Sequence, residues 1–362
     1  VYIWDLVSLY KRKIIGINIP CVSEALPVNG VFVAGFLANR SKLIYPCELS
    51  KLLKSSKYIV DIMDINPLTD EEYLEACINI AKRKTALFLS LIRRTNWSLG
   101  ILVYTCSDRI QHRFLKSRPS FVYNYYSILD EYIRCILDNL DLSNTIVFIV
   151  SDHGFKIPVS ALSINAWLIS KGYLGLKRDI TVKERIYKLL RYTISNNVLL
   201  LTLTRKIISI VPGDSREKIR SYRKTHEHFG AIKGAYMPSE DGSLYILGFA
   251  PPMRKILAKR IASEILKSFH GIKAYELNTH NDPAPELVLE SNIWAFSPDP
   301  HLPLRLKTIR ATHSKYGIFS VLGSSDIIKS GFKGYMKIYD IVPNVLYCLG
   351  IPIPKYISGS IK

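Results

Sequence analysis

The sequence predicts an α/β fold: a mostly parallel sheet sandwiched by helices, with a smaller inserted helical or cap region. Three observations carry this. Short runs rich in β-branched and aromatic residues, at 14–19, 97–105 and 146–150, alternate with longer stretches of helical periodicity. The run at 146–150 is apolar throughout, which marks a buried parallel strand. Two of the runs stop abruptly in polar, chemistry-bearing segments, CSDRIQH and SDHGF, and in open α/β sheets ligands gather where strands end.

Bulk properties narrow the class. A chain of 362 residues exceeds one small core, so one large α/β domain with an insert, or two domains, is expected. A hydrophobic content of 48% excludes general disorder. The net charge of +19 suits either a polyanionic partner, such as nucleic acid or a membrane surface, or solvated basic faces. The basic runs near 51–57, 82–84 and 216–224 are dispersed and not regularly interleaved with aromatics, so no specific nucleic-acid motif is present. Six separated cysteines without a CxxC pair fit a reduced intracellular protein, and no signal peptide is visible, so a cytoplasmic location is the expectation. No transmembrane segment is expected either, because the nearest apolar run, 198–211, is broken by Arg205 and Lys206.

In chain order, residues 1–10 read as a helix, followed by a basic turn and the short buried strand that Pro20 ends. Gly30 and Gly35, in PVNGVFVAGF, mark either a ligand approach or plain turn geometry. Residues 41–70 are a polar connection in which Asp61 and Asp64 form a carboxylate pair, a weak metal candidate. A long helix over 71–95 leads into the strand at 97–105. Beyond it stand Asp108 and His112, four residues apart. On a helical turn both fall on one face, where a carboxylate and a neutral imidazole suit Zn²⁺ or Mn²⁺; the bland alternative is a helix-capping Asp beside an exposed His. A helix over 126–140 then enters the strand at 146–150, whose end carries Asp152 and His153, either a metal site or a turn.

Past His153 the sheet rhythm fades. Residues 163–174 read as a helix closed by Gly172, and 180–225 as a basic, amphipathic, helical insert that packs on the domain or touches a membrane. His226 and His228 are weak ligand candidates. Strand-like pieces at 245–247 and 286–289 flank a basic helix at 251–269. His313 sits in a polar loop before the buried strand expected at 318–322. A last helix enters at Asp340 with Pro343 in its first turn.

Taken together, SDRIQH, SDHGF, ATHSKYGIF and IYDIVPNVLYCLGIPIP resemble the alkaline phosphatase superfamily, most closely its type I phosphodiesterase/nucleotide pyrophosphatase branch. The likeness extends to WDLV, IIGINIP and PVNGVFVAGF near the start, to NAWLISKGYL and to PAPELVLE. It implies an alkaline-phosphatase-like sheet and two divalent metal ions, Zn or Mn. Asp108, His112 and His313 resemble the ligands of one ion, and Asp152 and His153 resemble two ligands of the other. It further implies hydrolysis of phosphodiester or nucleotide pyrophosphate bonds in a small phosphate-ester or nucleotide substrate. In such a site a threonine or serine attacks phosphorus and the phospho-enzyme is then hydrolysed.

The resemblance also implies an aspartate ligand and that nucleophile on an earlier strand and its loop. Both precede the segment resembling WDLV, and no residue here matches them; Ser8 and Ser23 lack the context. A catalytic nucleophile is therefore not present in this chain as read. The expectation is a chain lacking that strand through truncation or a misplaced gene start, impaired in catalysis. The alternatives are a non-catalytic polyanion- or membrane-binding module on a decayed scaffold, and a phosphomonoesterase or phosphoglycerate-mutase-like member. The expected division is a core part over 1–155, an insert over 156–250, and a second core part over 251–362 holding His313.

Overall fold

A segment apolar at nearly every position, such as 14–19, has one stable place, the middle of a sheet. The computed structural model of the chain puts it there; it describes residues 1–65, 69–176, 182–195, 200, 231–277, 284–308, 310–324 and 334–361. Two compact units emerge, Val1–Gly154 with Lys315–Lys362, and Phe155–Ser314.

The first unit runs α1 (Ile3–Leu9), β1 (Ile14–Ile19), β2 (Gly30–Ala34), β3 (Ile44–Tyr45), α2 (Ser50–Ser55), α3 (Asp70–Ile92), β4 (Leu99–Leu102), α4 (Cys106–Phe114), α5 (Pro119–Leu137) and β5 (Val147–Val150). The chain enters the second unit through β6 (Gly154–Lys156) and continues with β7 (Ser160–Ser163), α6 (Ile164–Ser170), β8 (Leu174–Leu176), α7 (Val182–Ser195), β9 (Ala231–Tyr236) and β10 (Ser243–Leu247). There follow α8 (Pro251–Ser268), β11 (Ile272–Glu276), β12 (Leu287–Ser291), β13 (Trp294–Ser297), β14 (Arg305–Leu306) and β15 (Thr312–Ser314). Strand β16 (Phe319–Leu322) and helix α9 (Ile341–Cys348) return to the first unit.

In the first unit the sheet order is β3-β2-β1-β4, with β1 parallel to both β2 and β4 and β3 antiparallel at the edge. Every residue of β1 is buried. Ile15 and Ile17 pack with Val31, Val33 and the α3 residues Leu87, Phe88 and Leu91. Ile14 and Ile19 pack with Phe32, with Leu6 and Val7 of α1 and with Leu346 of α9. A register shift between Ile17 and Ile19, with Asn18 at φ 63°, carries Ile19 to the face of Ile14. Helix α3 starts at a capping box: Thr69 Oγ1 accepts from the Glu72 N–H at 3.0 Å, and Glu72 Oε2 accepts from the Thr69 N–H at 3.0 Å. Gly30 is explained by close strand approach, since a Cβ there would stand 2.1 Å from the Ile14 carbonyl.

The described part of the second unit is built on an antiparallel sheet of order β11-β12-β10-β9-β8. Its core joins Trp167, Ile246, Ile261, Ile265 and Leu287. Of the helical insert expected over 180–225, the described part forms helix α7, tied to its own unit where Tyr192 donates to the Lys307 carbonyl at 2.7 Å; residues 196–199 and 201–225 lie outside the described residues.

The mostly parallel sheet expected from the sequence is not what forms. Among the described residues β1–β2, β1–β4 and β7–β13 are parallel, and the other registered pairs are antiparallel. The run at 146–150 is a case in point. Strand β5 pairs antiparallel with β16, Phe319 opposite Val150, and is only half-buried. An apolar run reports what its faces meet, not the direction of its neighbour. Direction is set here by the strand ends: the Ser151 N–H donates to the Ile318 carbonyl at 3.0 Å, and the Ile318 N–H donates to Ser151 Oγ at 2.7 Å.

Among the described residues Lys84, Asp61 and Asp340 are charged residues buried in the first unit, and Lys84 is the cation of the three. Lys84 is 1% exposed, and its Nζ donates to the Val60 carbonyl at 2.8 Å and to Thr105 Oγ1 at 3.4 Å. Burial lowers its pKa from 10.5 to about 8. Below about pH 8 the folded state bears the cost of a buried ammonium; between about 8 and 10.5 the unfolded chain binds more protons, so stability rises with pH. From neutral pH to about 10.5, the urea-unfolding free energy of the wild type is expected to gain roughly 3 kcal/mol on that of Lys84→Met. Identical pH dependence of the two proteins would contradict a buried titrating amine.

Candidate metal centre

Helix α4 begins just past the end of β4, whose pairing continues through the Val103 N–H to the Ile17 carbonyl at 3.1 Å. Asp108 sits in its first turn, where the helix dipole favours a carboxylate. His112 stands one turn on, with Nε2 3.4 Å from Asp108 Oδ1. The helical turn that the sequence predicts therefore forms and puts both donors on one face, near enough to share one ion. Each side chain is about 30% exposed, open to solvent on one side.

The end of β5 supplies the other donors. His153 Nε2 lies 3.9 Å from Asp108 Oδ1 and 3.4 Å from Asp152 Oδ2. His153 Nδ1 is 3.1 Å from the Gly154 carbonyl. A carbonyl only accepts, so that contact assigns the ring proton to Nδ1 and leaves the Nε2 lone pair for ligation. Asp152 is the most exposed of the four, and its Oδ1 accepts from the His153 N–H at 3.1 Å. Gly317 packs against this turn: a Cβ there would stand 2.1 Å from Ser151 Oγ and 3.1 Å from the His153 carbonyl.

The donor set fits a divalent ion of the zinc or manganese kind, being made of carboxylate oxygens and imidazole nitrogens. Ligands about 2.0–2.1 Å from a tetrahedral ion stand about 3.3–3.4 Å apart. The Asp108–His112 and Asp152–His153 separations of 3.4 Å match that spacing.

The first unit thus gathers Asp108, His112, Asp152 and His153. His313 lies on β15 of the second unit, exposed, its ring edge-on to Phe155 at 5.3 Å. Asp61 and Asp64 are not a site: they cap the turn at Ile62–Asp64 and pair with Arg109 at 3.3 Å and Arg40 at 2.9 Å. His226 and His228 fall outside the described residues. Sequence reading missed Arg109, which lies inside SDRIQH beside Asp108, and the packing role of Gly317. Arg109 was legible as a cation next to a ligand; its partner Asp61 is far along the chain and no spacing announces it.

A family model described as Type I phosphodiesterase / nucleotide pyrophosphatase matches residues 20–243, a stretch that holds Asp108, His112, Asp152 and His153. No curated protein and no solved structure matches the chain. No helix among the described residues is long and apolar enough to cross a membrane.

Gly317→Ala is expected to destabilise the protein by about 1–3 kcal/mol in urea unfolding, the usual cost of overpacking. In a Ser151→Ala background, where the Oγ is gone, the same substitution should cost clearly less. Equal costs in both backgrounds would show that the Ser151 contact is not what excludes a side chain at 317.

Proposed function

Since the chain belongs to the type I phosphodiesterase/nucleotide pyrophosphatase family, the model of which spans residues 20–243, we propose that it is a metal-dependent hydrolase of phosphodiester or nucleotide pyrophosphate bonds. In this reading Asp108, His112 and His313 hold one divalent ion, and Asp152 and His153 hold a second. Zinc or manganese suits these donors. When bound, the ions supply Lewis-acid polarisation of the phosphoryl oxygens and charge neutralisation. The observation that carries the reading is the placing of Asp108 Oδ1 between two imidazoles from different elements, 3.4 Å from His112 and 3.9 Å from His153.

The residues have separable tasks. Asp108 and Asp152 bring the negative charge that a cation needs. His112 and His153 add neutral donors, and His153 is oriented through its Nδ1 contact with Gly154. The attacking hydroxyl is not assigned to any of the 362 residues, so metal binding and turnover are distinct readouts. Substrates are small phosphate esters or nucleotides, as the family's description indicates.

Calorimetric titration with Mn²⁺ or Zn²⁺ tests the centre directly. Wild type is expected to bind about two ions and His153→Ala about one, with Asp108→Asn weakening the other site at least tenfold. Any hydrolysis of bis(p-nitrophenyl) phosphate by the wild type should vanish in Asp108→Asn. Failure of the wild type to bind either ion would sink the assignment. Retention of a vesicle or polyanion by such a metal-free chain would favour the non-catalytic binding module that the +19 charge permits.

A further inference from the structure

The two oxygens of Asp108 have different neighbours. Oδ1 faces His112 and His153, while Oδ2 lies 3.5 Å from Arg109 Nη1. Arg109 is itself held in place. Its Nη2 reaches Asp61 Oδ2 at 3.3 Å, and the Asp61 side chain is 1% exposed. Its guanidinium carbon sits 4.6 Å from the centroid of the Phe36 ring. Its Nε is buried with no hydrogen-bond acceptor among the described residues, which leaves the two Nη groups to face Asp61 and Asp108. Asp61 is fixed in turn, with Oδ1 accepting from the Met63 N–H at 3.1 Å and its own N–H donating to Asp64 Oδ2 at 3.3 Å.

We propose that Arg109 is a positioning residue for the metal centre, occupying Asp108 Oδ2 so that the carboxylate meets a divalent cation through Oδ1 alone. The inference rests on the metal reading above. A guanidinium beside a divalent cation is electrostatically unfavourable, so its effect on binding has to come from geometry. Asp61 offsets that charge, and Phe36 covers one face of the planar group. A carboxylate left free on both oxygens rotates and chelates through either or both. One pinned at Oδ2 presents a single donor aimed at the imidazoles. Outer contacts of this kind are worth roughly 10–100-fold in metal affinity.

The test uses the full chain with Mn²⁺ alone as probe, in wild type, Arg109→Met, Arg109→Lys and Asp61→Asn. Affinity is read by calorimetry and carboxylate binding mode by infrared difference spectra. Arg109→Met is expected to bind Mn²⁺ roughly 10–100-fold more weakly. The gap between its asymmetric and symmetric carboxylate stretches should narrow as Asp108 becomes bidentate. Arg109→Lys keeps the charge but not the fork, so it should also weaken binding; Asp61→Asn should shift the spectrum in the same direction. A purely structural tie between α4 and the turn at Ile62–Asp64 would lower the unfolding temperature of all three and leave the Mn²⁺-bound spectrum unchanged, overturning the proposal. Binding by a folded Arg109→Met that is as tight as wild type, or tighter, would overturn it as well. If Arg109→Met fails to fold, Arg109→Lys and Asp61→Asn decide by the same spectrum. A wild type that binds no Mn²⁺ would overturn the metal reading itself, a result distinct from wild-type binding that the variants leave untouched.

Discussion

A single carboxylate, that of Asp108, has to meet imidazoles from its own helix and from the loop after β5, and the first unit is arranged so that it can. Helix α4 is short, nine residues, and its two faces are sharply divided. Cys106, Ile110 and Phe114, each four residues apart, are at most 1% exposed and point into the core shared with α3 and α5. Asp108 and His112 follow the same period two residues out of phase and so face away from that core. Burying one series fixes the azimuth of the other. Apolar packing thereby sets where the polar donors point, with no dedicated contact needed for the helix as a whole.

Beneath the start of α4 the packing is polar. Asn18 is fully buried; its Nδ2 donates to the Val103 carbonyl at 2.8 Å, and its Oδ1 accepts from the Tyr58 hydroxyl at 3.2 Å. Lys84 reaches Thr105 and Val60 from α3. These contacts join β1, the end of β4 and the connection near 58–60 to Thr105, the residue just before α4. A buried ammonium is a poor way to gain stability, because desolvation opposes the charge. It is a good way to fix position, because each partner has defined geometry and an unmade bond is costly. The Cys77 and Cys106 thiols sit in the same shell: their mutual hydrogen bond pushes the Cys77 thiol up and holds the Cys106 thiol down.

How much of this was legible follows from the range of each interaction. Helices α3 and α4 and strands β1 and β4 are readable because their signals are local: a capping box at Thr69, an unbroken apolar run, a four-residue ligand spacing. The nearness of Asp108 to His112 and of Asp152 to His153 is readable for the same reason, each pair being close in the chain. Strand direction could not, since 146–150 has the same composition whether β16 lies parallel or antiparallel to it. Nor could the Arg109–Asp61 pair, whose members lie 48 residues apart and meet only after α3, β4 and the turn at Ile62–Asp64 have packed. Gly317 carries no local signal either, because the atom that would clash with a Cβ there belongs to Ser151, far along the chain.

The distances within the centre bear on what holds it open. Carboxylate–imidazole hydrogen bonds close to about 2.7–3.0 Å when nothing prevents them. Here the pairs stand at 3.4 Å for Asp108 with His112, 3.4 Å for Asp152 with His153, and 3.9 Å for Asp108 with His153. The scaffold accounts for the spacing. The Cys106, Ile110 and Phe114 packing sets the α4 backbone, Arg109 lies beside the far oxygen of Asp108, and the Gly154 carbonyl contacts the far nitrogen of His153. Asp108 and His153 each have a neighbour on the side away from the other donors. For His153, whose Nε2 carries a lone pair and not a proton, no hydrogen bond to Asp108 or Asp152 forms, and the gaps of 3.9 and 3.4 Å are those of acceptors facing one another, an arrangement that a shared cation would relieve.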